Sequence, residues 1–141
     1  MDLDLVIARL KATLVGFKAI GGAADLDAAI GAAVAVPTAF VIPLADSARP
    51  SESLGFHEQL LSVAFGVVLV ASNRRDTTGA AALADLGALR AQVRDALAGW
   101  APIAAEGLPV QIAGGRLLRL DGDGRLWWSD EFTLQTYYRS P

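Results

Sequence analysis

Gly114-Gly-Arg-Leu-Leu-Arg-Leu-Asp-Gly-Asp-Gly-Arg-Leu-Trp-Trp-Ser-Asp-Glu-Phe-Thr-Leu-Gln-Thr-Tyr-Tyr-Arg139 reads as a β-hairpin, and it carries every tryptophan and tyrosine of the chain except Trp100. Its turn, Asp121-Gly122-Asp123-Gly124, offers positions that tolerate positive φ between two alternating strand patterns, the strongest short-range hairpin signal. Trp127 and Trp128 fall on opposite faces of their strand. One is placed to fill a core, and the other to cover a helix or enter an interface. Asp130-Glu131 interrupts the alternation in which Leu126, Trp128, Phe132 and Leu134 share a face. Asp130 therefore points inward, sits at a bulge or meets a partner. A bulge or salt bridge is the simpler reading, because acid–base chemistry needs a pocket and a second polar group.

Before this hairpin, Asp76, Thr77 or Thr78 is placed to cap a long helix ending near Gly99-Trp100. Its buried stripe is Leu83, Leu86, Leu89, Val93, Leu97 and Trp100, with Arg90, Arg94 and Asp95 on or beside the opposite face. Glu58 to Ala71 reads as the longest strand, with Leu61, Val63, Phe65, Val67 and Leu69 on one face and Ser62, Ala64, Gly66, Val68 and Val70 on the other. Neither face is strongly polar, so both are expected to be covered. Thr38 to Ala45 is a second strand, which Pro43 places near an edge or a strand end. Asp46 to Phe56, rich in breakers and polar residues, reads as a loop between the two. Upstream lie an amphipathic helix from Asp2 to Leu14, an extended piece from Phe17 to Ile20, and a small helix from Asp25 to Ala33 with Asp25 as N-cap. The order α-β-α-β-β-α-β-β predicts one α+β domain over residues 1–141, with a mostly antiparallel or mixed sheet and helices packed on it.

Composition narrows the function classes. A chain of 141 residues is long enough for a normal core without disulfides or metal, and the absence of cysteine excludes a thiolate metal site. Twelve basic against 15 acidic residues give a net charge of −3, which argues against dedicated nucleic-acid recognition. The opening Met1-Asp-Leu-Asp carries acids where a secretory signal needs bases, and no apolar run approaches the roughly 18 residues of a membrane span. A soluble, unexported protein without a membrane role is expected. Yet 53% hydrophobic residues is high for a lone domain. Alanine content and burial between subunits are the two explanations.

No motif specifies a reaction. His57, the only histidine, has Ser53 and Glu58 near it in sequence alone, and a solvated strand-start residue is the simpler reading. The Asp121-Gly-Asp-Gly run departs from a calcium loop because Arg125 occupies the next ligand position. Gly21-Gly22 and Gly114-Gly115 lack the spacing of a dinucleotide or phosphate loop. No catalytic, cofactor or metal residue is assigned. Arg74-Arg75 is suited to an acidic neighbour or to a solvated loop.

The ordered set of segments resembles the tail terminator proteins of long-tailed bacteriophages and prophages, in particular those of Mu-like phages. It comprises Asp4-Leu-Val-Ile-Ala-Arg-Leu10, Gly21-Gly-Ala-Ala-Asp-Leu26, Ala39-Phe-Val-Ile-Pro-Leu44, Phe65-Gly-Val-Val-Leu69, Asn73-Arg-Arg-Asp76 and Gly79-Ala80. It continues through Leu89-Arg90, Leu97-Ala-Gly-Trp100, Gly114-Gly-Arg-Leu117 and Leu126-Trp-Trp-Ser-Asp-Glu-Phe132. The resemblance implies a non-enzymatic subunit of a six-fold ring that caps the tail tube, stops its polymerisation and receives the head. The implied partners are copies of itself, the tail tube protein and a head–tail connector protein. Assembly is then expected in the bacterial host cytoplasm, and the finished location in the virion tail. Such a ring needs two complementary patches per subunit. The candidates are Trp127, Asp130 and Glu131 on one side and Arg74 and Arg75 on the other. The Asp46–Phe56 loop, through Ser47, Arg49, Glu52, Ser53 and the adjoining His57, is the candidate contact to tube or connector. A neck or tail-completion protein and a small-ligand-binding α+β domain stand as alternatives.

Overall fold

The computed structural model describes residues 1–30, 34–72, 80–121 and 124–140. Its elements follow the expected order: α1 (Asp4–Thr13), β1 (Ala19–Gly21), α2 (Ala23–Ala29), β2 (Thr38–Ala48), β3 (His57–Ser72), α3 (Ala80–Leu97), β4 (Gln111–Leu120) and β5 (Arg125–Ser140). The strands form one sheet in the order β1-β2-β3-β5-β4. β1 runs parallel to β2, and every other neighbouring pair is antiparallel, so the sheet is mixed.

The spine of the sheet is the β3–β5 pair, in register from His57 opposite Ser140 to Ser72 opposite Arg125. Period-two alternation sorts its side chains. Val63, Phe65, Val67, Leu69, Leu126, Phe132 and Leu134 join Val6 and Leu10 of α1 and Leu86, Val93 and Leu97 of α3 in the main core. Phe65 and Phe132 stack at a centroid distance of 5.6 Å. On the other face, Phe40, Val68, Val70 and Trp127 form a smaller core with Val34, against which Leu26 and Ala29 of α2 pack. Both faces of the long strand are thus covered over its second half. Polar bonds tie α1 and the chain just after it to α3: Arg9 Nε donates to the Ala96 carbonyl at 2.9 Å, and Gln92 Oε1 accepts the Val15 N–H at 2.9 Å.

Two local expectations change. α2 begins at Ala23, and Asp25 sits in its first turn, where its carboxylate accepts the Gly22 N–H at 2.9 Å; glycine at the cap leaves that duty to a downstream carboxylate. β2 runs on through Asp46, Ser47 and Ala48, paired with Val63, Ser62 and Leu61, so the loop is shorter than its polar composition indicates. Ladder bonds to β3 override composition there, and an irregularity between Pro43 and Ala45 accommodates the proline. The Asp121–Gly124 hairpin holds at its described ends: Gly124 has φ +86°, its N–H donates to the Asp121 carbonyl at 3.1 Å, and the Asp121 N–H donates to the Arg125 carbonyl at 2.8 Å.

Candidate assembly surfaces

Asp130 sits on the helix face of β5 with its side chain fully buried. A buried carboxylate costs several kcal/mol unless its oxygens are matched, and this one is matched. Arg90 Nε donates to Oδ1 and Oδ2 at 3.1 and 3.2 Å, Trp128 Nε1 donates to Oδ1 at 3.1 Å, and Arg94 lies 3.7 Å away as a second cation. The Arg90 guanidinium also lies over the Trp128 ring, 4.4 Å from its centroid. Gly115 of the neighbouring strand makes room for this cluster, since a Cβ there would lie 2.7 Å from Asp130 Oδ1. Of the three sequence readings of Asp130, the inward salt bridge is the one realised. Arg90 and Arg94, expected on or beside the solvent face of α3, instead reach across to the sheet. The signal that identifies them is their i, i+4 spacing on the flank of the buried stripe, opposite a strand carboxylate that breaks alternation.

The residues grouped as one candidate interface are separated by the pleat. Trp127 is buried on the α2 face, where its Nε1 donates to Asp121 Oδ2 at 2.9 Å, and Asp130 is buried on the other face. In the subunit neither is exposed. Glu131 does, half-buried and paired with Arg116 of β4 at 3.4 Å. Arg74 and Arg75 lie outside the described residues, as do Asp76, Thr77 and Thr78. Burial tends to raise the Asp121 carboxyl, but hydrogen bonds from Trp127 and Arg119 and the charges of Arg119 and Arg125 outweigh it. They hold this group below its ordinary value.

The tube-contact candidates gather at one end of the molecule, where β2, β3 and β5 run past the helices. Ser47 belongs to β2, and His57 begins β3. Between them the loop folds back on the sheet: the Arg49 N–H donates to the Leu60 carbonyl at 3.0 Å, and Gln59 Nε2 donates to the Arg49 carbonyl at 3.0 Å. Arg49, Glu52 and Ser53 line a small open cavity of about 190 Å³ with Glu58 and Tyr137, below the ~300 Å³ at which ligand pockets usually begin. His57 is exposed, within 2.7 Å of Gln59 Oε1 and edge-on to Tyr138. Sequence reasoning overlooked the apolar residues of this tip: Leu54 is 93% exposed, Phe56 58% and Tyr138 53%.

A second unpartnered surface is β4, exposed at nine of its ten residues, with Ile112, Leu117, Leu118 and Leu120 bare. Among the described residues no group of three or more acidic or histidine side chains is arranged to hold a metal ion, and no helix is long and apolar enough to cross a membrane. Compared with known proteins, residues 1–140 match the family model for phage tail terminator protein. No curated protein matches the chain.

Proposed function

The chain belongs to the phage tail terminator family, a family of structural phage-tail proteins rather than enzymes, and from this we propose that it assembles into a ring that caps the tail tube. The cap ends tube polymerisation, and its outer face receives the head through a connector protein. The observation that carries the reading is the family match across residues 1–140. Two features of the fold support it. Among the described residues the sheet has two unlike edges, β1 with β2 on one side and β4 on the other, which offers two different patches of the kind that a head-to-tail ring joins. The tip formed by Arg49, Glu52, Ser53 and His57, with bare Leu54 and Phe56, supplies an apolar and polar contact of the kind that docks on another protein. Ring contacts draw on Glu131 and on Arg74 and Arg75 rather than on the buried Trp127 and Asp130.

The experiment is made on phage. Particles produced without this protein are expected to yield overgrown, headless tails, and supplying it should restore tail length and head joining. Tails of normal length carrying heads in its absence would refute the assignment. Substituting Leu54 and Phe56 by serine should reproduce the defect while leaving the fold intact.

A further inference from the structure

The sheet's two outer sides differ in strand, charge and direction. On one side β1 pairs only with Thr38, Ala39 and Phe40, so the stretch Val41–Ala48 of β2 has no strand beside it among the described residues. On the other side β4 is the terminal strand. Unpaired strand edges of this length, carrying bare apolar side chains, template pairing with another chain. Leu44 is exposed on the first edge, and Ile112, Leu117, Leu118 and Leu120 are exposed on the second.

Resting on the ring reading above, we propose that successive copies join by sheet extension, β4 of one copy lying antiparallel to Val41–Ala48 of the next. The occupant of each edge is a second copy of this chain, because each edge finds its complement on the other. Three antiparallel steps lead from β2 through β3 and β5 to β4, so β4 runs opposite to β2. A neighbour placed beside the sheet without being flipped therefore presents β4 antiparallel to β2. The charges agree with that order. The Val41–Ala48 edge carries a single charge, the carboxylate of Asp46, whereas β4 carries Arg116 and Arg119 and no acid; within the subunit those arginines pair with Glu131 and Asp121. A two-fold junction would set β4 against β4 and bring two basic strands together, an arrangement that like charges on neighbouring strands disfavour. The head-to-tail junction places acid against base and repeats without reversing, so rotation can close it into a ring.

Engineered disulfides test the junction cleanly because the chain has no cysteine. Within one copy β2 and β4 are three strand spacings apart, about 14 Å, well beyond the ~7 Å limit for a disulfide. Any bond between them must join two copies. Ser47→Cys is combined in turn with Arg116→Cys, Leu117→Cys, Leu118→Cys and Arg119→Cys, all at exposed positions. Folding is checked by circular dichroism, and each oxidised variant is read by non-reducing electrophoresis beside light scattering. The expected result is a covalent ladder beyond the dimer from at least one double variant, stopping at the ring size, with no ladder beyond the dimer from any single variant. Prominent covalent dimers from a β4 cysteine alone would establish the two-fold junction and overturn the proposal. Rings seen by scattering without a ladder from any pair would overturn sheet extension and leave the ring reading standing. Monomers alone, at every concentration and on tail tubes, would overturn both.

Discussion

Along β3, Phe65 to Ala71 is buried without a break, whereas His57 to Ser62 is at best half-buried. β2 shows the same division, buried from Thr38 to Val41 and exposed from Pro43 to Ala48. The ladder is continuous across both halves, with β3 and β5 paired over their full length. Backbone pairing therefore does not distinguish them; the helices do, because α1 and α3 cover only one half. Buried apolar area, the dominant stabilising term, is concentrated under the helices. The projecting half keeps its strands while leaving Leu54, Phe56, Tyr137 and Tyr138 exposed. Its apolar side chains are therefore left on the surface of the subunit.

Substitutions that separate the halves check this division, and the largest effect belongs to the covered one. Phe132→Ala, which empties a fully buried site stacked on Phe65, should cost about 4 kcal/mol in denaturant unfolding. A loss under 1 kcal/mol would mean that the helix-covered core does not carry the stability. Asp130→Ala should cost about 3 kcal/mol by leaving Arg90 and Trp128 without their acceptor. An unchanged unfolding midpoint would show that the cluster is not formed in solution. Trp127→Phe removes one donor to Asp121 and should cost about 1 kcal/mol, measured the same way.

The Asp121 carboxyl gives a smaller, pH-dependent effect. Its folded pKa is depressed, so its contribution is present above the unfolded value and is lost as pH falls through the folded one. The difference in Tm between the native chain and Asp121→Asn should therefore shrink below about pH 4; a difference that holds constant to pH 2 would contradict the assignment. Smallest in stability is the tip, where Leu54→Ser with Phe56→Ser should shift unfolding by no more than about 0.5 kcal/mol. The same double variant should lose tail capping, so normal tails from it would break the link between exposure and docking.

Patterns that repeat with a fixed period were legible in the sequence. The spacing of α1, the alternation of β3, the stripe of α3 and the Asp121–Gly124 turn are local signals reinforced by burial, and the eight elements come in the expected order. What depended on a distant neighbour was not legible. Asp46, Ser47 and Ala48 look like loop but are strand, because β3 supplies their ladder. Asp130 announced itself by breaking alternation, but its choice among salt bridge, bulge and interface rested on Arg90, 40 residues away in sequence. Trp127 and Asp130 seemed natural companions of Glu131 as interface residues, yet burial and the pleat separate them. The bare apolar strip of β4 was invisible as such, because exposure at a sheet edge follows from strand order rather than from the strand's own residues.

Closure of this subunit into a ring through unlike edges is tested most directly by the mass of the purified protein across a concentration series, from light scattering coupled to size exclusion, with electron micrographs of the large species and of decorated tail tubes. Closed rings of about six copies, in line with head-to-tail cyclic symmetry, are expected at high concentration or on the tube end. A strict monomer in solution and on tail tubes, or a dimer that grows no further, would contradict it.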